Sequence, residues 1–297
     1  MRWPISLRTC TLFRLPSNFL LPLILRLTAA VTGVVLLLIV YFLVQGALPV
    51  LLQAGWRRFI TDAAWNPASG LFNLKPIFWG TVLATLGSIT LAAPLGILSA
   101  IFCLHYAPTA VAKVYRAMIE LMAGIPSVVY GFWGLVVLVP FLVEKHPPGA
   151  SLAVAIVILT LMILPTITLV AMASLSNLPL HLQQGSAALG LSRAATVWWV
   201  LIPAAKSGIA TSVVLATGRA LGETMAVLMV SGNVVQIPKT LFDPMRTLAA
   251  NIALEMAYAM NLHRSALFVS ALVLMILVTA LVLTAEGLSK EKLDGTY

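Results

Sequence analysis

Long apolar runs alternate with short polar connections along the chain. Five runs, Leu27–Ala54, Ile77–Leu104, Leu121–Val143, Leu152–Ser174 and Ser265–Ala285, contain no Asp, Glu, Lys or Arg. Each reaches the roughly 20 residues that a helix needs to cross about 30 Å of hydrocarbon. A sixth run, Gly208–Gly232, is equally apolar except for Arg219 and Glu223. The pattern predicts an all-α membrane protein with six transmembrane helices. Strands are not indicated, because the runs are too long and lack period-2 alternation. The first run exceeds the roughly 7–15 residues of a signal-peptide core, and no small-residue cleavage site follows it, so it reads as a retained helix. The chain thus divides into a basic tail (1–26), a first helix (27–54), a five-helix core (77–286) with an inner loop at 175–207, and a short tail (287–297).

Composition agrees. Of the 297 residues 61% are hydrophobic and only 9% charged, too few charges to build a water-facing surface. The net charge of +9 comes without a basic patch interleaved with aromatics, so basic loops at an anionic membrane surface explain it and nucleic acid does not. Six spans put both ends on one side. Arg2, Arg8, Arg14 and Arg26 stand in the tail with no acid, which favours a cytoplasmic N-terminus. Ten basic residues fall on that side and seven on the other. Cys10 and Cys103 form no framework, and His105, His146, His181 and His263 lie at or outside span ends. There is no HExxH and no P-loop, so no cofactor, metal or enzymatic centre is expected.

Local signals refine the spans. Trp56 and Trp65 read first as interfacial anchors. Pro126 predicts a kink in the third span, with Gly124 and Gly131 allowing close approach and Glu120 at the helix start. Gly80, Gly87 and Gly96 also suit close helix contacts. The inner loop reads as a helix, a break at Gly190, a second helix and a stop at Pro203. Arg219 falls about 11 residues into its helix, roughly 16 Å along the axis and near the midplane. An arginine there costs about 2.5–3.5 kcal/mol, so it needs a partner or a task. Glu223, four residues on, is expected on the same face. The pair reads either as a structural ion pair or as part of an anion path, since a guanidinium matches the oxygens of a tetrahedral oxyanion.

The inner loop resembles the coupling loop of ABC-importer permeases. Gln184, Gly185 and Ser186 stand where that pattern has Glu-Ala-Ala, Gly190 stands at its glycine, and Val200, Ile202 and Pro203 at its closing aliphatic and proline positions. The acid of the pattern is replaced by Gln184. The run from Arg219 to Val227, with Ser231-Gly-Asn233, is similar to the fifth-helix signature of PstC-type permeases of phosphate-specific ABC importers. Trp65-Asn-Pro, Gly80-Thr81, the stretch from Ala123 to Gly131, Asp243-Pro244, Thr247 to Ile252 and Glu255 fit the same family in order. The resemblance implies a type I ABC-importer permease (MetI-like) fold in a bacterial inner membrane. It also implies a heterodimer with a PstA-type permease, two cytoplasmic ATPase subunits and an extracytoplasmic phosphate-binding protein. By it, Arg219 and Glu223 belong to the phosphate pathway. Permeases for sulfate, molybdate or phosphonate share the coupling-loop pattern and stand as the alternative, ahead of an ATP-independent transporter. An outer helical segment is expected over Thr247–Met260.

Overall fold

A computed structural model describes residues 17–290, with side chains described for 21–284. Arg2, Cys10, Arg8, Arg14 and Lys292 therefore lie outside the described residues, as does the Lys290 side chain. By contacts the chain forms two units, Met1–Gln45 and Gly46–Tyr297. In the first, the described residues are one helical stretch of α1 (Ser17–Ala54), which begins ten residues before the expected Leu27. Its side chains from Leu21 to Ile39 are exposed, as suits a helix solvated by lipid.

The second unit starts with the end of α1 and the short α2 (Arg58–Thr61). A two-residue hairpin follows, β1 (Trp65–Asn66) against β2 (Leu71–Phe72), a piece of sheet that the apolar pattern did not announce. Then come α3 (Lys75–Ile101), α4 (Thr109–Gly124), α5 (Ser127–Trp133), α6 (Val139–Val143) and α7 (Leu152–Ser176). The inner loop folds as α8 (Leu180–Ala188), α9 (Arg193–Ala195) and α10 (Ile202–Ala204). The chain closes with α11 (Lys206–Leu221), α12 (Met225–Val230), α13 (Leu248–Glu255) and α14 (Asn261–Lys290).

Four of these helices are long and apolar enough to span a membrane by themselves, and six spans result only if two bent pairs each count as one. The first bent pair is α4 with the α5–α6 segment, turned by 93° at Ile125-Pro126. This is a corner rather than the expected kink. Pro126 disfavours helical backbone at Ile125, which is extended at φ −69°, ψ 127°. Glu120 consequently lies near the end of α4, not at a span's start, and its carboxylate accepts from Arg116 at 2.8 Å on the exposed face.

α7 is the central post. It is apolar on all sides, and Leu159, Ile163 and Ile167 are essentially fully buried. Around it α3, α5, α11 and α12 contribute Ala84, Ala92, Tyr130, Ala216, Ala220 and Ala226 to one core. Glycine lets these helices approach closely: a Cβ on Gly131 would sit 2.7 Å from the Ala226 Cα, and one on Gly96 would sit 2.8 Å from Ile167. Gly124, read as an equivalent, has nothing within 4 Å of that position. The small-residue positions of α3 and α5 are thus used within this chain. A second core gathers Val50, Phe59, Phe72, Ile77 and Leu267 at the end where α3 begins. A third packs Ile101, Met172 and Leu175 against Val197 and Leu201 of the inner loop at the opposite end.

Among the described residues three widened turns occur, at Phe102–Tyr106, Gly134–Leu138 and Thr196–Leu201. Each closes on an N–H that reaches five residues back: Ala107 to Phe102, Val139 to Gly134 and Ile202 to Val197. In all three cases the next residue is a proline, Pro108, Pro140 or Pro203. Before Pro140 and Pro203, where the helix continues, the proline ring crowds the carbonyl four residues back and removes one hydrogen bond, and the five-residue turn relieves that crowding; before Pro108 the widened turn ends the helix, since Ala107 is extended. Pro94 and Pro165 lie inside α3 and α7 without such a turn.

Candidate substrate path and coupling surface

The sixth apolar run is not one helix. α11 stops at Leu221, Gly222 and Glu223 turn back on Gly218 and Ala220, and α12 starts at Met225. Gly218 and Gly222 weaken helical continuation by about 1 kcal/mol each relative to alanine. The break is then fixed from its far side, because Glu223 Oε1 accepts the Ala226 N–H at 3.1 Å and caps α12. α12 ends at the Ser231-Gly-Asn233 run. Gly232 and Asn233 take positive φ of 78° and 55°, and Asn233 Nδ2 donates to the Leu228 carbonyl at 2.8 Å.

This corrects the expectation that Arg219 and Glu223 share a helix face. No ion pair joins them. Arg219 is exposed in the last turn of α11, where the negative helix end favours a cation. Glu223 is half-buried at the amino end of α12, where the positive end favours an anion. Each charge is stabilised by its own helix terminus, which leaves the guanidinium free for another partner. The guanidinium donates to the Thr166 hydroxyl of α7 at 3.5 Å, the outer edge of a hydrogen bond. Thr166, one residue after Pro165, carried no signal in the sequence.

The inner loop has the expected helix, glycine break and second helix, but Pro203 lies inside the second helix, which ends at Ala204. α8 ends at Gly190, whose φ is 70°. Ser192 then caps α9, its Oγ accepting from the Ala195 N–H at 3.2 Å. The helix runs through Ile202 and Pro203 and turns by 69° into α11. Gln184, Gly185 and Pro203 are exposed, Val200 and Ile202 half-buried, and Ser186 is buried with its hydroxyl on the Leu182 carbonyl at 2.8 Å. Leu189 and Trp199 are 80% and 81% exposed on this loop.

At the opposite end lies a cluster of polar side chains that the sequence reading did not assemble. Trp65 is buried, not interfacial, and its indole N–H donates to Glu255 Oε2 at 3.0 Å. Arg246 Nη1 donates to Glu255 Oε1 at 2.6 Å and to Asn251 Oδ1 at 3.1 Å, and its Nε donates to the Asn233 carbonyl at 2.9 Å. His263 Nε2 lies 2.8 Å from Glu255 Oε2. The cluster ties the hairpin, the end of α12, α13 and the start of α14 together beneath a cavity of about 440 Å³. The expected outer helical segment is present as α13, capped by the Thr247 hydroxyl. Among the described residues no group of His, Cys, Asp or Glu could hold a metal.

Residues 92–290 match the family of binding-protein-dependent transport system inner membrane components. The chain belongs to this family. A probable ABC transporter permease, YqgH of Bacillus subtilis (strain 168), is 39% identical over 257 residues, covering 84% of this chain and 81% of that one. The phosphate transport system permease PstC of Mesorhizobium japonicum is 35% identical, over 80% of this chain and 79% of that one. PstC of Haemophilus influenzae is 31% identical, over 87% and 91%. In structure the chain is similar to a chain of the inward-facing MetNI methionine ABC transporter, with a TM-score of 0.55, 20% identity, and coverage of 73% of this chain and 94% of that one. That likeness shows the type I ABC-importer permease (MetI-like) fold. Family membership makes the chain an inner-membrane transport subunit of a complex whose ATPase is a separate subunit.

Proposed function

We propose that this chain is one of two dissimilar permease subunits of an ATP-driven inorganic phosphate importer, with Arg219 and Glu223 in the anion path. The observation that carries the reading is the break at Gly222, which leaves the Arg219 guanidinium exposed and free of any carboxylate. A guanidinium presents a planar fork of donors to a tetrahedral oxyanion. Glu223 keeps the amino end of α12 satisfied and sets a negative charge near the path. That limits how tightly an anion is held, and a transport site must release what it takes. Phosphate is favoured over other oxyanions by the names of the PstC relatives and by the run from Arg219 to Val227.

In this reading the second subunit is PstA-type, two ATPase subunits dock on the inner loop at exposed Gln184, Gly185, Leu189 and Trp199, and both termini are cytoplasmic. A binding protein delivers phosphate at the other end.

The test is ATP-driven phosphate uptake into vesicles holding the whole complex, comparing wild type with Arg219→Gln at equal assembly. Loss of charge-assisted hydrogen bonds is expected to lower uptake by about tenfold or more. Unchanged uptake would make Arg219 structural. A wild-type complex that moves sulfate and not phosphate would transfer the reading to another oxyanion.

A further inference from the structure

A cavity of about 460 Å³ lies at the end of the protein opposite the inner loop. Leu51 of α1, Phe59 of α2, Phe78 of α3, and Val269 and Val273 of α14 form its walls. The two valines are four residues apart and share one face of α14, so the cavity extends about 6 Å along that helix. Exposed Trp56 and Lys75 also line it. Lys75 is the first residue of α3, so its ammonium stands where the apolar span meets the polar connection.

Lys75 is the charged residue of the lining, and Arg57 and Arg58 follow Trp56 in the chain. Arg58 pairs with Asp62 at 3.2 Å, and Asp62 also accepts the Phe72 N–H, so this acid is satisfied. Lys75 has no ion pair, and Arg57 has only the Trp56 ring, 5.8 Å from its guanidinium carbon. An apolar cleft lined by an unpaired lysine and by a tryptophan that carries a second cation on its ring has the chemistry of a lipid with an acidic headgroup. We infer that this cavity is a phospholipid site: one acyl chain fills the space between α1, α3 and α14, and an acidic headgroup meets Lys75 and Arg57. The site is separate from the anion path and stands independently of the substrate.

The test uses the assembled complex in vesicles of mixed phosphatidylglycerol and phosphatidylethanolamine, extracted in mild detergent, with retained lipid read by native mass spectrometry. Wild type is expected to keep one phosphatidylglycerol that Val273→Trp, which fills the cavity, no longer keeps. Lys75→Gln is expected to weaken retention about fivefold, the effect of one basic residue at a lipid surface. If Val273→Trp fails to assemble, Lys75→Gln alone decides. Equal retention in wild type and Lys75→Gln, or equal retention of phosphatidylethanolamine and phosphatidylglycerol by wild type, overturns the inference.

Discussion

The Trp65 indole donates to the Glu255 carboxylate across 190 positions of sequence, and that bond sits at the centre of a cluster joining four elements. Trp65→Phe keeps the aromatic bulk and removes one donor to a buried charge. It is expected to cost about 1.5–3 kcal/mol. Arg246→Met removes the main partner of Glu255 and leaves a buried acid with only Trp65 and His263, for an expected cost of about 3–5 kcal/mol. Thermal unfolding of the complex in detergent should rank them wild type, Trp65→Phe, Arg246→Met. An Arg246→Met melting temperature at or above that of Trp65→Phe would contradict the assignment.

Thr166 is the one neutral side chain within reach of the Arg219 guanidinium among the bonds described. Thr166→Val preserves shape and removes the hydroxyl. Phosphate uptake is expected to fall about two- to tenfold, less than for Arg219→Gln, with assembly unchanged. Equal losses in the two variants would mean that Thr166 acts by more than orienting the arginine.

Gly131 and Gly124 make a controlled pair. A methyl at Gly131 meets the Ala226 backbone at 2.7 Å, so Gly131→Ala must push α5 from α12 and is expected to cost about 1–3 kcal/mol. Gly124 has open space, and Gly124→Ala should stay within about 0.5 kcal/mol of wild type. Melting curves of the two complexes check the contrast.

Asp243 gives the outer loop an acid sensitivity. The Thr240 N–H and hydroxyl and the Lys239 N–H all donate to its carboxylate and hold its pKa below the ordinary value of 3.8. The folded value is lower than the unfolded one, so the contribution is complete above about pH 4 and is lost as pH falls through the folded value. Amide exchange at Lys239 and Thr240 should accelerate below that pH in wild type. In Asp243→Asn the acid-dependent step should disappear.

Trp199 is exposed on the inner loop, and its truncation leaves the core beneath untouched, since Val197 and Leu201 carry the packing. Trp199→Ala is expected to leave the melting temperature of the isolated permease pair unchanged and to reduce retention of the ATPase subunits on purification. Full retention would remove Trp199 from the docking surface.

The helical spans were legible because lipid imposes a length and an apolarity that no other element satisfies. The helix, break and second helix of the inner loop were legible too, since Gly190 acts through its own backbone. The 93° corner at Pro126 exceeded the expected kink, because Ile125 leaves helical geometry altogether. The break at Gly222 was hidden by apolarity on both sides of it, although two glycines and an acid followed by threonine were its available signals. Trp65 and Thr166 could not be assigned from local pattern. Their partners lie 190 and 53 positions away, and only tertiary packing brings them together.

The widened turns before Pro140 and Pro203, where the helix continues, also change how this sequence must be counted. Each inserts about one residue into the helical repeat, which advances the side chains beyond it by about 100°. A helical wheel drawn continuously through Thr196–Leu201 therefore assigns Ile202 and Pro203 to the wrong side. Aligning such chains by apolar stripe alone will drift out of phase at each of these prolines. The proline itself marks where the count has to be restarted.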